Sequence, residues 1–491
     1  MKPQETRFSY VYQNLKGKII SGQLLPGSRL SSSRDLCEEY HVGIYTITNV
    51  LNALREEGLI DIQPRRAAIV LPWNENQSPF SEELTILEHR DNLLQLYQTF
   101  SLLLPAFMTF ASQNCRIEDM PHYKRAMKVA QNGVKAGGWR VASALIGDIL
   151  NSSGNALLFD LYTLFELNSN LTFFTEKCQF FIDRFLNSAT SVTEYIVEVL
   201  KGTDPVHKYG QLAGIYGKLS MSVDETLKYL ADKNPEYPAQ NDFQFSWNPL
   251  RGRNFCYARI VQDLTNKIGS GVYPEGTFLP HEAELAEQYE VSVFTVRKAL
   301  DILERRGFSK TLNAKGTLVL LPDDSVLSRT LQDKAAKKEI LTYLCSLQLI
   351  ILLIRPAALL AMPHFREEDV KELDVRLKTS GNIILNDIFQ SLLKRLKLGP
   401  FRDILAETSR ISEFGYYMSF YPDRLGTRSQ LNEKGLESYG YLRNGDAEAF
   451  AESMEDCYRH ILTAARAYMV EKYNFNEALS VRIPEKVSVG R

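Results

Sequence analysis

Apolar positions recur with helical spacing along most of this chain, and in two places a short alternating pattern follows the helical one. In each of these two places, apolar residues at i, i+4 and i+7 predict a helix that buries one stripe. Gly58 and Gly307 are expected to end these helices, and each is followed by two short strands around a polar turn. The stripe residues are Ile47, Leu51 and Leu54 in the first helix and Val296, Leu300 and Leu303 in the second.

The two places are copies of one unit. Residues 13–71 align without a gap to 262–320, with 18 identities in 59 positions. This period of 249 residues is far longer than a solenoid repeat and indicates a duplicated domain. Each copy predicts two further helices before the striped one, and Ser292 is a better N-cap for that third helix than Gly43. Three helices and a hairpin predict a winged helix-turn-helix, and we call the copies the first head (1–72) and the second head (254–322).

The rest of the chain has helical periodicity with little strand signal. "LLLPAFMTFA" (102–111) resembles "LIRPAALLAM" (353–362), which indicates that the helical regions were duplicated with the heads. The predicted fold is mainly α, with two winged helix-turn-helix domains and two all-α helical bundles. The bundles are expected at 80–232 and 327–476, and a proline-bearing linker without periodicity is expected at 233–253.

Composition and charge place the chain among soluble globular proteins. Scattered cysteines without a CxxC pair indicate reduced thiols in a cytoplasm, and we expect no membrane partner, because the apolar run Leu347–Ile354 is too short to span a bilayer. The net charge of −2 hides a small asymmetry. Residues 1–72 and 251–322 each carry an excess of +2, against −6 for the remainder, so both heads permit contact with phosphate.

The chemistry of DNA contact is better represented in the second head than in the first. A recognition helix presents its first turns to base edges, while the preceding helix and the wing hold phosphates. The predicted DNA-binding residues of the second head are Ser292, Thr295, Arg297, Lys298, Lys315 and Gly316. Those of the first head are Arg34, Thr46, Arg65 and Arg66, while Ile44, Tyr45 and Thr48 stand where polar or cationic groups are expected.

Both heads resemble the amino-terminal domain of GntR-family transcriptional regulators. The family run L-P-S-E-R-E-L-A followed by V-S-R-T-T-V-R-x-A-L is matched by "LSSSRDLC…VGIYTITNVL" and by "LPHEAELA…VSVFTVRKAL". The resemblance implies DNA contact at Arg34, Thr46, Thr295, Arg297 and Gly316. It also marks losses, since Ile44, Val293 and Thr48 replace contacting arginines, Ala283 replaces the arginine of the second helix, and Ala67 replaces the wing glycine.

The helical regions resemble the FadR-like ligand-sensing bundle of this family more loosely, at "SSGNALL" (152–158) and "LRNGDAEAFAESM" (442–454). The resemblance implies an unknown small-molecule effector. Several members hold a metal there with an Asp and about three His, but Asn386, Gln390 and Cys457 stand near those positions here. We therefore expect no metal and no cofactor.

Several residues have two interpretations. Tyr45 and Phe294 touch thymine methyl groups or sugars, or, as we favour, pack the turn. Cys457 and His460 form a conceivable metal pair, although structural roles are favoured. Arg355 is a weak candidate for anchoring an anionic effector, and a satisfied arginine at the rim of the bundle is an equal alternative.

These features predict a non-catalytic, GntR-type regulator that binds a double-stranded DNA operator. No catalytic motif stands out along the chain. With both heads in one chain, an intramolecular pseudo-dimer is expected, and a homodimer is possible. The alternative function is a protein-interaction scaffold or co-regulator that has lost most of its DNA contact.

Overall fold

The computed structural model divides the chain into two compact units, each taken here by itself. Unit 1 comprises Met1–Gly252, Leu398–Ile404 and Glu485–Arg491, and unit 2 comprises Arg253–Lys397 and Leu405–Pro484. The structure describes residues 7–20, 24, 26–40, 42–63, 67–71, 79–131, 138–186, 191–237, 245, 247, 256–269, 271–313, 315–321, 334–377, 384–412 and 427–486.

Unit 1 begins with three helices and a two-stranded antiparallel hairpin. These elements are α1 (Arg7–Ile20), α2 (Ser33–Tyr40), α3 (Ile44–Glu56), β1 (Ile60–Asp61) and β2 (Ile69–Val70). In the hairpin Ile60 pairs with Val70. The stripe predicted on α3 is buried, with Ile47 and Leu54 at 0% exposure. It packs against Val11 and Leu15 of α1 in one apolar core, so the first head has the predicted winged helix-turn-helix arrangement.

The remaining helices of unit 1 form an α-helical bundle in which α5 packs along α11, and α7 lies against both α5 and α8. Two π-helical turns, Phe173–Lys177 and Ile182–Leu186, flank the short α9. The helices are α4 (Pro79–Glu88), α5 (Arg90–Ser112), α6 (Tyr123–Gln131), α7 (Gly138–Ser152), α8 (Ala156–Asn168), α9 (Gln179–Phe181), α10 (Val192–Lys201) and α11 (Pro205–Lys233), with a 3₁₀ turn at Ile117–Asp119.

Unit 2 begins with the same elements as unit 1. They are α12 (Cys256–Gly269), α13 (Glu282–Gln288), α14 (Val293–Arg305), β3 (Ser309–Leu312) and β4 (Gly316–Val319). Both ends of α12 and of α14 lie 249 residues after the ends of α1 and α3, which is the spacing of the sequence repeat. An isolated bridge joins Arg29 to Ile69 in the first head and Phe278 to Leu318 in the second, at the same spacing.

The bundle of unit 2 is built on α15, which packs along α20, while α20 packs against α19. The elements are α15 (Lys334–Ala361), α16 (Glu367–Leu377), α17 (Ile384–Arg395), α18 (Gly399–Ser412), α19 (Thr427–Asn444) and α20 (Ala447–Tyr473), with 3₁₀ turns at Met362–His364 and Asn476–Ser480. The part of α18 up to Ile404 is assigned to unit 1. The mainly α fold class is confirmed. The finer division into heads, bundles and linker at the predicted residue numbers stays a prediction.

The long apolar helix of each bundle carries a proline in its interior, Pro105 in α5 and Pro356 in α15. This is the place of the weak internal similarity between residues 102–111 and 353–362. Arg90–Ser112 and Lys337–His364 are long and apolar enough to cross a membrane by length and composition alone, but 67% and 72% of their apolar windows are buried inside the protein. Such burial is typical of the core helix of a bundle.

The start and end of each third helix follow the predicted local chemistry. Ser292 Oγ accepts a hydrogen bond from the Thr295 backbone N–H at 3.2 Å, whereas Gly43 has no side chain to cap α3. Gly58 and Gly307 have φ angles of +72° and +77°, in the left-handed region that lets the chain leave a helix toward a strand. The local sequence thus sets where both third helices begin and end.

Candidate nucleic-acid interface

The start of α14 carries two hydroxyl groups held against each other. Ser292 Oγ and Thr295 Oγ1 lie 2.9 Å apart, and Ser292 is exposed while Thr295 is half-buried. Because the cap fixes this turn, the residues at the amino end of α14 have a defined orientation. The structure therefore places Ser292 and Thr295 at the end of the helix that a helix-turn-helix protein presents to bases.

Arg297 lies on the exposed side of α14 and is paired with a residue of α13. Its Nε donates a hydrogen bond to Glu282 Oε2 at 2.7 Å, and the two side chains are 67% and 37% exposed. An ion pair this open to water contributes only about 0.2–1 kcal/mol. Arg297 therefore keeps a guanidinium face toward solvent while Glu282 restrains its orientation.

Two lysines flank Arg297 in the second head. Lys298 is exposed, and its Nζ lies 4.5 Å from the centre of the Tyr257 ring, a cation–π contact. Lys315 is exposed in the hairpin turn, next to Gly316. Gly316 has a φ of +110°, which disfavours any other residue, so the wing needs its glycine.

Tyr45 and Phe294 do not pack the turn, and our favoured interpretation of them is wrong. They are 77% and 75% exposed, at the second residue of α3 and of α14. The buried stripe of each helix begins two residues later, at Ile47 and Val296, and two residues correspond to about 200° around a helix. The aromatic rings therefore lie on the solvent side of both recognition helices.

The first two turns of the recognition helix of the first head carry no cation, and the arginine of α3, Arg55, lies in its last turn. Thr48, which replaces Arg297, donates its hydroxyl hydrogen bond to the Ile44 carbonyl at 2.9 Å, within its own helix. Arg34 is exposed and Thr46 is half-buried. The hairpin strands have two residues each, against four in the second head. The predicted wing contacts Arg65 and Arg66 lie outside the described residues.

Each head also contacts the helices of its own unit. In unit 1, α1 packs against α8, and a Cβ atom at Gly17 would lie 2.9 Å from Thr163 Cγ2 and 3.0 Å from Leu167 Cδ1. In unit 2 the contact is made by Arg306, the C-cap residue of α14. Its Nη2 lies 2.7 Å from Oε2 of Glu339 in α15. The repeat thus keeps the folds of the heads, but each is attached by different residues.

The weak effector candidate Arg355 is a paired residue. Its Nη2 lies 2.6 Å from Glu448 Oε2, and the two side chains are 20% and 64% exposed. The carboxylate neutralises the charge that an anionic effector would need. This geometry favours the alternative interpretation of Arg355, a satisfied arginine near the rim.

The residues near the expected metal positions do not suit a metal. Cys457 is fully buried beside Ser438, with Sγ 3.6 Å from Ser438 Oγ, and burial raises the pKa of its thiol. His460 Nε2 has no hydrogen-bond partner within the described ranges, and burial lowers the pKa of His460. Over the part of the chain that the structure describes, no group of three or more His, Cys, Asp or Glu side chains is placed to hold a metal ion.

A buried carboxyl group in unit 1 is a feature that the sequence reading missed. Glu166 of α8 is 9% exposed, and its Oε1 has no hydrogen-bond partner among the described residues. Burial raises its pKa to about 7, although the polar groups of Tyr162, Ser143 and Trp139 act in the opposite direction. The indole Nε1 of Trp139 is also buried without a hydrogen-bond partner among these residues. Such groups are costly to leave unsatisfied, so they mark a candidate polar site.

Comparison with known proteins places both heads in one family. The family described as "Bacterial regulatory proteins, gntR family" matches residues 9–70 and again residues 256–319. The "Probable fructoselysine utilization operon transcriptional repressor" of Escherichia coli (strain K12) is 43% identical over 63 residues, which are 13% of this chain and 26% of that protein. The "HTH-type transcriptional regulator TreR" of Bacillus subtilis (strain 168) is 38% identical over 64 residues, 13% of this chain and 27% of TreR.

The solved structures that match this chain have a lower sequence identity than the curated relatives. "Streptococcus agalactiae GntR" is 19% identical with a TM-score of 0.20, covering 42% of this chain and 99% of that one. "E. coli McbR/YncC" is 15% identical with a TM-score of 0.19, covering 47% of this chain and 99% of that one. The chain matches only about a quarter of the length of the two curated relatives named above. Residues 9–70 and 256–319, which form the two heads, each match the GntR family of bacterial regulatory proteins.

Proposed function

We propose that this chain is a non-catalytic, cytoplasmic transcriptional regulator that binds operator DNA mainly through its second head. The observation that carries this proposal is the exposed guanidinium of Arg297 near the amino end of α14, flanked by exposed Lys298 and the wing residue Lys315. Arginine at this place suits bidentate bonding to guanine, and the lysines suit phosphates. The two curated relatives named above are called a transcriptional repressor and a transcriptional regulator, which supports the same function.

The two heads act as an intramolecular pseudo-dimer. Helix-turn-helix dimers place two recognition helices on half-sites one helical turn apart, and here one chain carries both helices. Because no symmetry forces the two heads to stay alike, the operator has unlike half-sites. The second head reads bases, and the first, without a cation in the first two turns of α3, contributes less affinity.

The helical region of unit 1 senses a small polar ligand at Glu166. The buried Glu166 carboxyl group, with the indole N–H of Trp139 beside it, suits a ligand that carries both a hydrogen-bond donor and an acceptor. The same helix, α8, also bears Thr163 and Leu167, which lie against Gly17 of the first head. A ligand that moved α8 would therefore change the contact with α1, and it would shift operator binding by its differential affinity for the two states.

Binding to DNA is tested by titrating the full chain against duplexes recovered from a random pool. Affinity should fall steeply as salt rises, because phosphate contacts release counterions. A flat response to salt, or failure to enrich any duplex, would support the alternative function of a protein-interaction scaffold. Light scattering tests the pseudo-dimer, since one chain per duplex with two half-sites is expected, and an obligate dimer of chains would contradict it.

Ligand sensing is tested by thermal-shift screening of polar metabolites with the full chain and with Glu166→Ala. A ligand of the proposed site should stabilise the wild-type protein only, and it should change the wild-type affinity for the recovered duplex. Stabilisation of both proteins alike would place the ligand elsewhere.

A further inference from the structure

Each recognition helix begins with two apolar side chains exposed to solvent. Tyr45 and Phe294 are 77% and 75% exposed, and the residues before them, Ile44 and Val293, are 58% and 36% exposed. Single exposed apolar residues are ordinary, but here an adjacent pair recurs at the same place in both heads. The pair has persisted although neighbouring positions differ between the copies, as with Thr48 and Arg297.

Phe294 lies on the face of α14 that also carries the cations. Arg297 and Lys298 follow it by three and four residues, the spacing at which side chains are neighbours on one helix face. The buried stripe, which includes Val296 and Leu300, faces the other way. Any surface that approaches Arg297 from solvent therefore also meets the ring of Phe294.

The chemistry of Phe294 restricts what the ring can recognise in a duplex. Phenylalanine has no hydrogen-bonding group, so it cannot read the donors and acceptors of base edges. The C5-methyl group of thymine is the apolar feature that base pairs display in the major groove. The neighbouring guanidinium of Arg297 favours a polyanion over an apolar protein surface at this face.

We propose that Phe294 in the second head, and Tyr45 in the first, contact thymine C5-methyl groups in the major groove. Each half-site then carries thymine beneath the start of the recognition helix, beside the base contacted from position 297 in the second half-site. This inference rests on the proposed DNA-binding function and adds a specificity determinant to it. It also gives the first head a means of reading bases without a cation.

The test uses duplexes recovered from a random pool by the full chain and resynthesised with uracil in place of thymine in one half-site at a time. This change removes methyl groups and leaves the hydrogen-bonding pattern intact. Wild-type affinity should fall roughly fourfold for each methyl group contacted. Phe294→Ala should bind the thymine and uracil forms of the second half-site equally, and Tyr45→Ala should do the same at the first. Tyr45→Phe should keep the thymine preference, because it keeps the ring.

Arg297→Ala separates this inference from the function on which it rests. It should weaken binding to the thymine and uracil duplexes by the same factor and leave their ratio unchanged. Equal wild-type binding to both duplexes, with binding still weakened by Arg297→Ala, would overturn the thymine contact and leave the regulator function standing. A thymine preference that survives Phe294→Ala would also overturn it. If the full chain recovers no duplex, both proposals fail.

Discussion

In the second head, Arg297 Nε donates a hydrogen bond to Glu282 Oε2 across the helix-turn-helix, at 2.7 Å. The residues 249 positions earlier are Thr48 and Ser33, so the first head has neither the cation nor its carboxylate partner. The copies therefore differ at both members of this pair, while the helices that carry Arg297 and Thr48 have equivalent ends. The two heads therefore differ in the charge that the recognition helix presents to solvent at this position.

Arg297→Ala should weaken specific DNA binding by about 1–3 kcal/mol, because the guanidinium that reads guanine or holds phosphate is removed. Thr48→Ala is the matched control in the first head, at the equivalent position. It should change affinity little, since the Thr48 hydroxyl is bonded to the Ile44 carbonyl. Gel shifts with the recovered duplex measure both, and equal effects of the two substitutions would contradict the unequal roles of the heads.

Glu282→Gln should strengthen binding to all duplexes by about 1.5- to 5-fold, because an exposed ion pair holds Arg297 with about 0.2–1 kcal/mol. Asp301→Asn, on the recognition helix α14 that carries Arg297, is the control. It removes the same charge from the exposed Arg305–Asp301 pair, one turn farther from the base-reading end, and should give a smaller gain. Fluorescence anisotropy at low salt resolves the two. Weaker binding by Glu282→Gln would instead mean that Glu282 positions Arg297 for the duplex.

Much of the fold of both heads could be predicted from the sequence, because it depends on patterns of residues that are close together along the chain. The apolar stripe through Ile47 and Leu54, the capping of α14 by Ser292 and the turn at Gly58 each depend on a few neighbouring residues. The same spacing places Phe294 off the buried stripe, so the sequence already indicated that Phe294 is exposed, although we favoured packing of the turn. The helices of both heads, and the turns that end them, were therefore predictable from the sequence.

The candidate site in unit 1 could not be predicted in this way. The environment of Glu166 depends on how α7 packs against α8, since Ser143 and Trp139 of α7 lie near its carboxyl group. The sequence does not single out Glu166, because α8 also carries Asp160. The contacts of Gly17 with Thr163 and of Arg306 with Glu339 are also long-range, and they differ between the copies. In the aligned repeat Gly17 corresponds to Asn266 and Arg306 corresponds to Glu57, so neither residue is kept in the other copy.

Gly17→Ala should loosen the packing of α1 against α8. Alanine normally stabilises a helix by about 1 kcal/mol relative to glycine, but here the added carbon meets Thr163 Cγ2 at 2.9 Å, and overpacking costs about 1–3 kcal/mol. Hydrogen exchange should therefore speed up in α1 and α8. The second substitution Thr163→Ser removes Cγ2 and should restore part of the protection, because Leu167 Cδ1 still lies 3.0 Å from the added carbon. Gly214→Ala in α11, where a Cβ atom meets nothing within 4 Å, should instead slow exchange.

The stability of unit 1 should fall as pH rises toward neutrality, because of Glu166. Burial raises its pKa from 4.5 to about 7, so the folded state binds the proton more tightly than the unfolded state. The stabilisation from this group is complete below about pH 4.5 and is lost as the pH rises to about 7, a change of about 3 kcal/mol. Thermal unfolding from pH 5 to 8 measures this slope. His460, whose pKa is lowered by burial, acts in the opposite direction, because its contribution is lost as pH falls below 6.5.

The difference between wild type and Glu166→Gln isolates the carboxyl group, since every other titrating group is common to both proteins. The variant should be less sensitive to pH and, above pH 7, more stable than wild type, because a neutral amide replaces a buried charge. Glu198→Gln on α10, where the side chain is 68% exposed, should keep the wild-type slope. If Glu166→Gln unfolds with the wild-type pH dependence, the carboxyl group is already solvated, and the case for a polar ligand site at Glu166 fails with it.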